Sequence, residues 1–353
     1  MKIAITADVH LTSQEKNPER YHALENTLDQ LVGLKIETLI IAGDLFDATC
    51  KDPGVLESLV QNKKFSQITL YIIPGNHDPV LSQGTFTLPN IRYLTDPKLV
   101  EFSQDAIFLF QPFQSNSSIG EALAAFPQIL APNSWVLVAH GDNLASTRTR
   151  NNYENGLYMP LSGRDIQLYK PKKVFLGHIH ASMDTALVHY PGSPCGLDPT
   201  ETGIRTFLVY DTSSGKVERI PVETDVIYLQ VSLTVLPMDD EDEYIRQILV
   251  NKITAWNLDE TQKMKTRVRI NTQGYSTDRG RLLKTIVDVF SQYKFTLDVQ
   301  PDLSKVKIST DVMRADIATI VQKQILEMEL TESPDEPTND EYILSAMNQI
   351  YRG

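Results

Sequence analysis

Five times within its first 180 residues, this chain runs a short apolar stretch straight into side chains that bind metal ions. Ile3–Thr6 leads to Asp8 and His10, Thr38–Ala42 to Asp44 and Asp47 within GDLFD, and Leu70–Ile73 to Asn76, His77 and Asp78 within GNHD. Trp135–Ala139 leads to His140, and Val174–Leu176 to His178 and His180 within GHIH. Apolar, β-branched runs of this length read as buried strands. Open α/β sheets place their sites at the carboxyl ends of such strands. Five ligand-bearing strand ends therefore predict an α/β fold with one site assembled from dispersed pieces.

The length of 353 residues predicts two or three folding units. No basic segment followed by an apolar stretch opens the chain, so no secretory leader is expected, and no apolar run is long enough to span a bilayer. Cys50 and Cys195 form no CxxC pair, which excludes a disulfide framework and suits the cytoplasm. A net charge of −12 argues against a simple nucleic-acid coat protein. Residues 141–173 run the other way, with Arg148, Arg150, Arg164, Lys170, Lys172 and Lys173 against Asp142, Glu154 and Asp165. That stretch lies between two ligand motifs and could meet a polyanion; a solvated loop explains it equally well.

Residues 1–222 alternate strands with helices. Leu24, Leu28, Leu31 and Val32 recur at helical spacing, and Asp211–Gly215 reads as a turn between the strands Phe207–Tyr210 and Val217–Ile220. From 223 to 310 the pattern is strand, helix, strand, helix and a closing hairpin of Phe295–Val299 with Val306–Ser309, a small α/β capping module. Residues 311–353 hold an apolar stripe of Ile317, Ile320, Val321, Ile325 and Met328, an acidic linker, and a terminal helix with Ile343, Met347 and Ile350. These helices either pack on their own module or dock on a partner helix.

Of seven histidines, five lie in the motifs, beside Asp8, Asp44 and Asn76. Imidazole, carboxylate and amide oxygen together suit manganese, iron or zinc. So many donors exceed what one ion takes, and a carboxylate shared by two ions accounts for them. Two-metal sites activate water near neutral pH and neutralise charge on a phosphoryl group, and a histidine outside the ligand set can assist the leaving oxygen. Metal-dependent phosphoester hydrolysis follows. No P-loop and no GxSxG elbow is present.

The series Asp8-x-His10, Gly43-Asp44-x-x-Asp47, Gly75-Asn76-His77-Asp78, His140 and Gly177-His178-x-His180 resembles the calcineurin-like metallophosphoesterase family. The resemblance implies a β-sandwich flanked by helices around two metal ions. Asp8, His10, Asp44 and His180 would hold one ion, and Asp44, Asn76, His140 and His178 the other, with Asp44 as the bridge. His77 would be the leaving-group histidine and Asp78 the residue that orients it. Within the family the chain is most similar to the SbcD-type DNA repair exonucleases, by the loop at Asp52-Pro53, the Tyr190-Pro-Gly-Ser-Pro194 turn, and the α/β module followed by terminal helices. Asp47 stands where eukaryotic and archaeal relatives often carry histidine. That branch implies manganese, a DNA substrate and an SbcC-type coiled-coil ATPase, with residues 311–353 as the docking segment and room for a homodimer. A smaller phosphodiester such as a cyclic nucleotide is the alternative substrate. An interaction protein that had lost its chemistry would be expected to lack a ligand, and none is missing.

Overall fold

All five apolar runs are strands in the computed structural model. It describes residues 1–353 apart from 51, 53, 79–80, 83, 129, 146–155, 237–239, 329–338 and 353. Pro53, Arg148, Arg150, Glu154 and most of the acidic linker thus lie outside the described residues. The chain divides into two units, Met1–Val226 and Ile227–Gly353.

The first unit runs through β1 (Lys2–Thr6), α1 (Pro18–Leu34), β2 (Thr38–Ala42), α2 (Gly54–Val60), β3 (Thr69–Ile73) and β4 (Ile91–Tyr93). It continues with β5 (Lys98–Ser103), β6 (Ala106–Gln111), α3 (Ile119–Ala125), β7 (Trp135–His140), α4 (Gly163–Tyr169) and β8 (Lys173–Gly177). It closes with β9 (Met183–Asp184), β10 (Val188–Tyr190), β11 (Thr206–Asp211) and β12 (Val217–Pro221). These strands form two six-stranded sheets, ordered β12-β11-β1-β2-β3-β4 and β5-β6-β7-β8-β10-β9. β1 to β4 are mutually parallel, as are β6, β7, β8 and β10. The expected hairpin of β11 and β12 is antiparallel and continues the first sheet beyond β1.

The sheets face each other across an apolar layer. Ile3, Ile5, Ile40 and Ile73 from the first meet Phe108, Phe110, Val138 and Phe175 from the second. Because both faces of the central strands are covered, their sequences are continuously apolar instead of alternating. The outer face of the first sheet packs on α1, which starts with Pro18 in its first turn and ends at Lys35 in the left-handed region, φ 56°. Leu24, Leu28 and Leu31 of this helix are buried, whereas Val32, expected on the same stripe, turns outward and is 41% exposed. The outer face of the second sheet is covered through Ile119, Ala122 and Leu123 of α3, with Ile166 and Tyr169 of α4 partly buried against it.

The second unit contains β13 (Ile227–Val235), α5 (Glu241–Ala255), α6 (Glu260–Lys265), β14 (Thr266–Ser276), α7 (Arg279–Val289), β15 (Lys294–Phe295), β16 (Val306–Ile308), α8 (Val312–Glu327) and α9 (Asn339–Arg352). Ile245, Leu249, Leu282 and Ile286 of α5 and α7 pack on Val231, Leu233, Val268 and Ile270 of the sheet. The expected hairpin is not formed: β15 and β16 each run parallel to β14, at Arg267–Val268 and Gly274–Ser276. β14 is eleven residues long and accommodates both short strands. Of the terminal stripe, Ile343 and Met347 are buried with Leu236 and Tyr275, and Tyr275 OH donates to Asn348 Oδ1 at 3.0 Å. On α8, Ile325 is partly buried, but Ile317 and Ile320 are exposed.

Candidate metal centre

The carboxyl ends of β1, β2, β3, β7 and β8 converge, and their turns share a strained backbone. Asp8, His10, Asp44 and His178 have positive φ, at 54°, 49°, 51° and 96°. Such conformations cost roughly 1–3 kcal/mol each and persist where the surroundings fix them. The fixing contacts are present: Asp8 N donates to Gly43 O at 3.1 Å, His10 N to Asp44 O at 3.0 Å, and His178 N to Asp8 Oδ1 at 2.9 Å. Gly43, with φ 92°, lies against the His140 ring so closely that a methyl group there would overlap it.

Two groups of ligand atoms result, Asp8–His10–His180 and Asp8–Asp44–His140, the atoms of each lying within 4.8 Å of one another. Asp44 Oδ2 also sits 3.6 Å from His10 Nε2 and 3.4 Å from His140 Nε2, between the two groups. Asn76 Oδ1 is 2.8 Å from His140 Nε2 and 3.1 Å from His178 Nδ1. The structure thus brings together all seven expected ligands.

The donor chemistry fits cations. The carbonyl of Ala42 can only accept, so His140 Nδ1, 2.9 Å away, donates to it. In the neutral ring this leaves Nε2 as a lone pair pointing at the amide oxygen of Asn76 and the carboxylate of Asp44. Among the described residues, Asp8 Oδ2 and Asp44 Oδ2 are buried with no partner at hydrogen-bond distance. Buried carboxylate oxygens that lack a hydrogen bond are costly, and a divalent ion is the group that satisfies several at once. The electrostatics carry the same signature. Burial pushes the Asp8 carboxyl up to about 6. Burial works against a charged His140, yet the Asp44 and Asp8 carboxylates raise it to about 9. Asp44 resists its own burial through His140 and His10 and stays well below the usual carboxylate range.

Around these groups lies an outer layer. His77 N donates to Asp44 Oδ1 at 2.8 Å, and its ring meets that of His10 edge-on at 5.1 Å. Asp78 accepts from Gly75 N and Phe46 N, both at 2.7 Å, which ties the GNHD loop to the GDLFD loop. Asp47 stands off the centre: it accepts from Thr49 and, at 3.3 Å, from Arg20, whose guanidinium also donates to His10 O at 2.8 Å.

Sequence reasoning missed two neighbours. Asp142 Oδ1 faces His178 Nε2 across 3.9 Å. Glu201 Oε1 accepts from His180 Nδ1 at 2.6 Å. Burial opposes the charge on Glu201, but that hydrogen bond and the charges of His180 and Arg205 keep its pKa below the ordinary value. No sequence signal singled out either acid; in the structure Ser193 N, in the Pro-Gly-Ser turn, donates to His180 O at 3.1 Å and brings the segment that carries Glu201 back to His180.

Residues 1–211 match the calcineurin-like phosphoesterase family. The chain belongs to that family. The sandwich described above is the family's fold. Exonuclease subunit 1 of Enterobacteria phage T4 is 29% identical over 208 residues, 54% of this chain and 57% of that protein. UDP-2,3-diacylglucosamine hydrolase of Aromatoleum aromaticum is 29% identical over 116 residues, 31% of this chain and 46% of that protein. The chain spans about half the length of the curated relatives it matches. Among solved structures, an archaeal phosphodiesterase is similar at 18% identity over 63% of this chain and 100% of its own, with a TM-score of 0.34. No helix among the described residues is long and apolar enough to cross a membrane.

Proposed function

We propose that this calcineurin-like phosphoesterase is a two-metal phosphodiesterase acting on DNA ends, of the SbcD type, with an SbcC-type coiled-coil ATPase as partner. The observation that carries the metal chemistry is the pair of ligand groups that share Asp8, with Asp44 Oδ2 set between His10 and His140. The similarity to an exonuclease subunit supports DNA as substrate and a second subunit as partner.

In this reading Asp8, His10, Asp44 and His180 hold one ion, and Asp44, Asn76, His140 and His178 the other. The position of Asp44 Oδ2 between His10 and His140 supports its bridging role. Bound divalent ions, manganese by preference, lower the pKa of water and screen the phosphoryl charge. His77, half-buried at the rim, is the proton donor to the leaving oxygen. Asp78 orients His77 by holding the loop that carries it, through its two amide hydrogen bonds. Residues 1–222 carry the chemistry, 223–310 form a substrate-selecting module, and 311–353 dock the ATPase. The apolar residues that α8 leaves exposed, Ile317 and Ile320, support the docking assignment.

A smaller phosphodiester is the second reading. A cavity of about 450 Å³, lined in part by Phe113, Tyr158 and Glu121, adjoins the centre where Tyr158 packs on His178 at 4.8 Å. That volume suits a small ligand. One experiment separates the readings: end-labelled linear duplex DNA incubated with Mn2+ and the protein, with Asp44→Ala as control. Degradation by the wild type alone supports the nuclease, and the label pattern gives its polarity. Intact DNA alongside cleavage of a chromogenic phosphodiester favours the smaller substrate or a requirement for the ATPase, which adding that partner decides.

A further inference from the structure

His180 approaches the centre from a loop that is held twice over. Its carbonyl accepts from Ser193 N at 3.1 Å and from the Arg205 guanidinium, which also donates to Ser193 O at 3.0 Å. These contacts fix the backbone. The ring is held separately, by Glu201, which is 5% exposed. Its Oε1 accepts a hydrogen bond from His180 Nδ1 at 2.6 Å, while Oε2 accepts from Ser193 Oγ at 3.0 Å and Leu197 N at 3.1 Å. Arg205 lies 3.6 Å from Oε2 and balances the charge.

With Nδ1–H on a carboxylate, the opposite nitrogen is left as a lone pair, and ring rotation is blocked. That nitrogen, Nε2, lies 3.2 Å from His10 Nε2, inside the Asp8–His10–His180 group. We propose that Glu201 is a positioning residue for one of the two ion sites: by fixing the tautomer and orientation of His180, it sets the affinity of the Asp8–His10–His180 site without touching the ion. This rests on the two-metal reading above. Outer carboxylates of this kind typically govern metal affinity by roughly 10–100-fold.

The test is a Mn2+ titration of the metal-free full chain, followed by electron paramagnetic resonance, with thermal unfolding in chelator alongside. Glutamine at 201 has one carbonyl oxygen, so it cannot serve both His180 Nδ1 and Leu197 N. Glu201→Gln is expected to weaken one of two ions by roughly 10–100-fold and leave the other at its wild-type affinity. Ser193→Ala removes a donor to Oε2 and an acceptor for Arg205 but spares Oε1 and the backbone contacts that Ser193 makes with His180 and Arg205, and is expected to bind both ions normally. Two wild-type affinities in Glu201→Gln would overturn the proposal, as would equal weakening of both ions or the same loss in Ser193→Ala. Should Glu201→Gln not fold, Glu201→Asp, which withdraws the carboxylate by one methylene, must show the same selective loss, and full affinity there overturns the idea. A wild type that binds no Mn2+ refutes the two-metal reading itself, and that failure is visible before any variant is made.

Discussion

Removing metal should change the way stability responds to pH. In the metal-free protein, burial disfavours a charged His140, but the Asp44 and Asp8 carboxylates outweigh it and raise its pKa from 6.5 to about 9. A group whose pKa is higher folded than unfolded gives stability that is complete below the unfolded value and is lost as pH rises through the folded one. The window is therefore pH 6.5 to 9. The change is roughly three-hundredfold in proton affinity, about 3 kcal/mol at 1.36 kcal/mol per pKa unit. For a unit the size of Met1–Val226, that is about 6–12 °C in Tm. Asp8, raised to about 6, and His10, lowered to about 4, act below this window, but Asp78, which burial raises to about 7, and His180, raised against its burial by Glu201 and Asp8, lose stability in the same direction within it. With Mn2+ bound the ion keeps these nitrogens deprotonated in the folded state, so the loss disappears: stability should rise only while the unfolded histidines still release protons, up to about pH 7.5, and stay level above it. Calorimetric scans from pH 6 to 9.5, in chelator and in excess Mn2+, read both slopes. His140→Gln should make the metal-free slope shallower. A metal-free Tm that is constant between pH 7 and 9, or one that falls equally in His140→Gln, would refute the electrostatic account of the centre.

His77→Ala should retain both ions by metal analysis while kcat on a chromogenic diester falls by about 10²–10⁴, the usual contribution of a general acid; depleted metal would make His77 a ligand instead. Gly43→Ala should unfold at lower temperature and bind Mn2+ poorly, because the added methyl displaces the His140 ring and its φ of 92° disfavours any side chain; wild-type Mn2+ affinity would show that the turn yields freely. Ile317→Glu with Ile320→Glu should weaken binding to the proposed ATPase partner and leave Tm and diester hydrolysis unchanged, since both side chains are exposed; unchanged partner affinity in a pull-down titration would remove α8 from the proposed docking surface.

The strands that lead to the candidate ligands were legible because each is buried on both faces and so reads as an unbroken apolar run, with the candidate ligands at its end or in the turn that follows. That left no ambiguity of register, and all seven expected ligands meet. Two kinds of feature were hidden. Glu201 stands in an irregular loop, where no periodicity singles out one acid from its neighbours, and only the fold brings it beneath His180. The partners of short strands were equally hidden. Phe295–Val299 looked like half of a hairpin, but Thr296–Asp298 coils into a 3₁₀ turn with Leu297 at φ 58°, leaving two residues to pair with β14. Val32 shows a finer limit: eight positions after Leu24, it falls at the edge of the helical stripe, where spacing alone does not settle burial.

The centre belongs to neither sheet alone, and this bears on why it is built from so many pieces. Asp8, Asp44 and Asn76 follow strands of the first sheet, while His140, His178 and His180 belong to strands of the second or follow them. Each ligand group therefore takes members from both sheets. The layer between the sheets is apolar, and apolar contact is not directional. What fixes the relative placement of the two sheets at this edge is polar: His140 Nδ1 on Ala42 O, and His178 N on Asp8 Oδ1. Ions held across the same seam would add to that restraint, and the backbone strain gathered there has both sheets to oppose it. The geometry of the chemistry and the register of the sandwich are then one property, held by the same contacts.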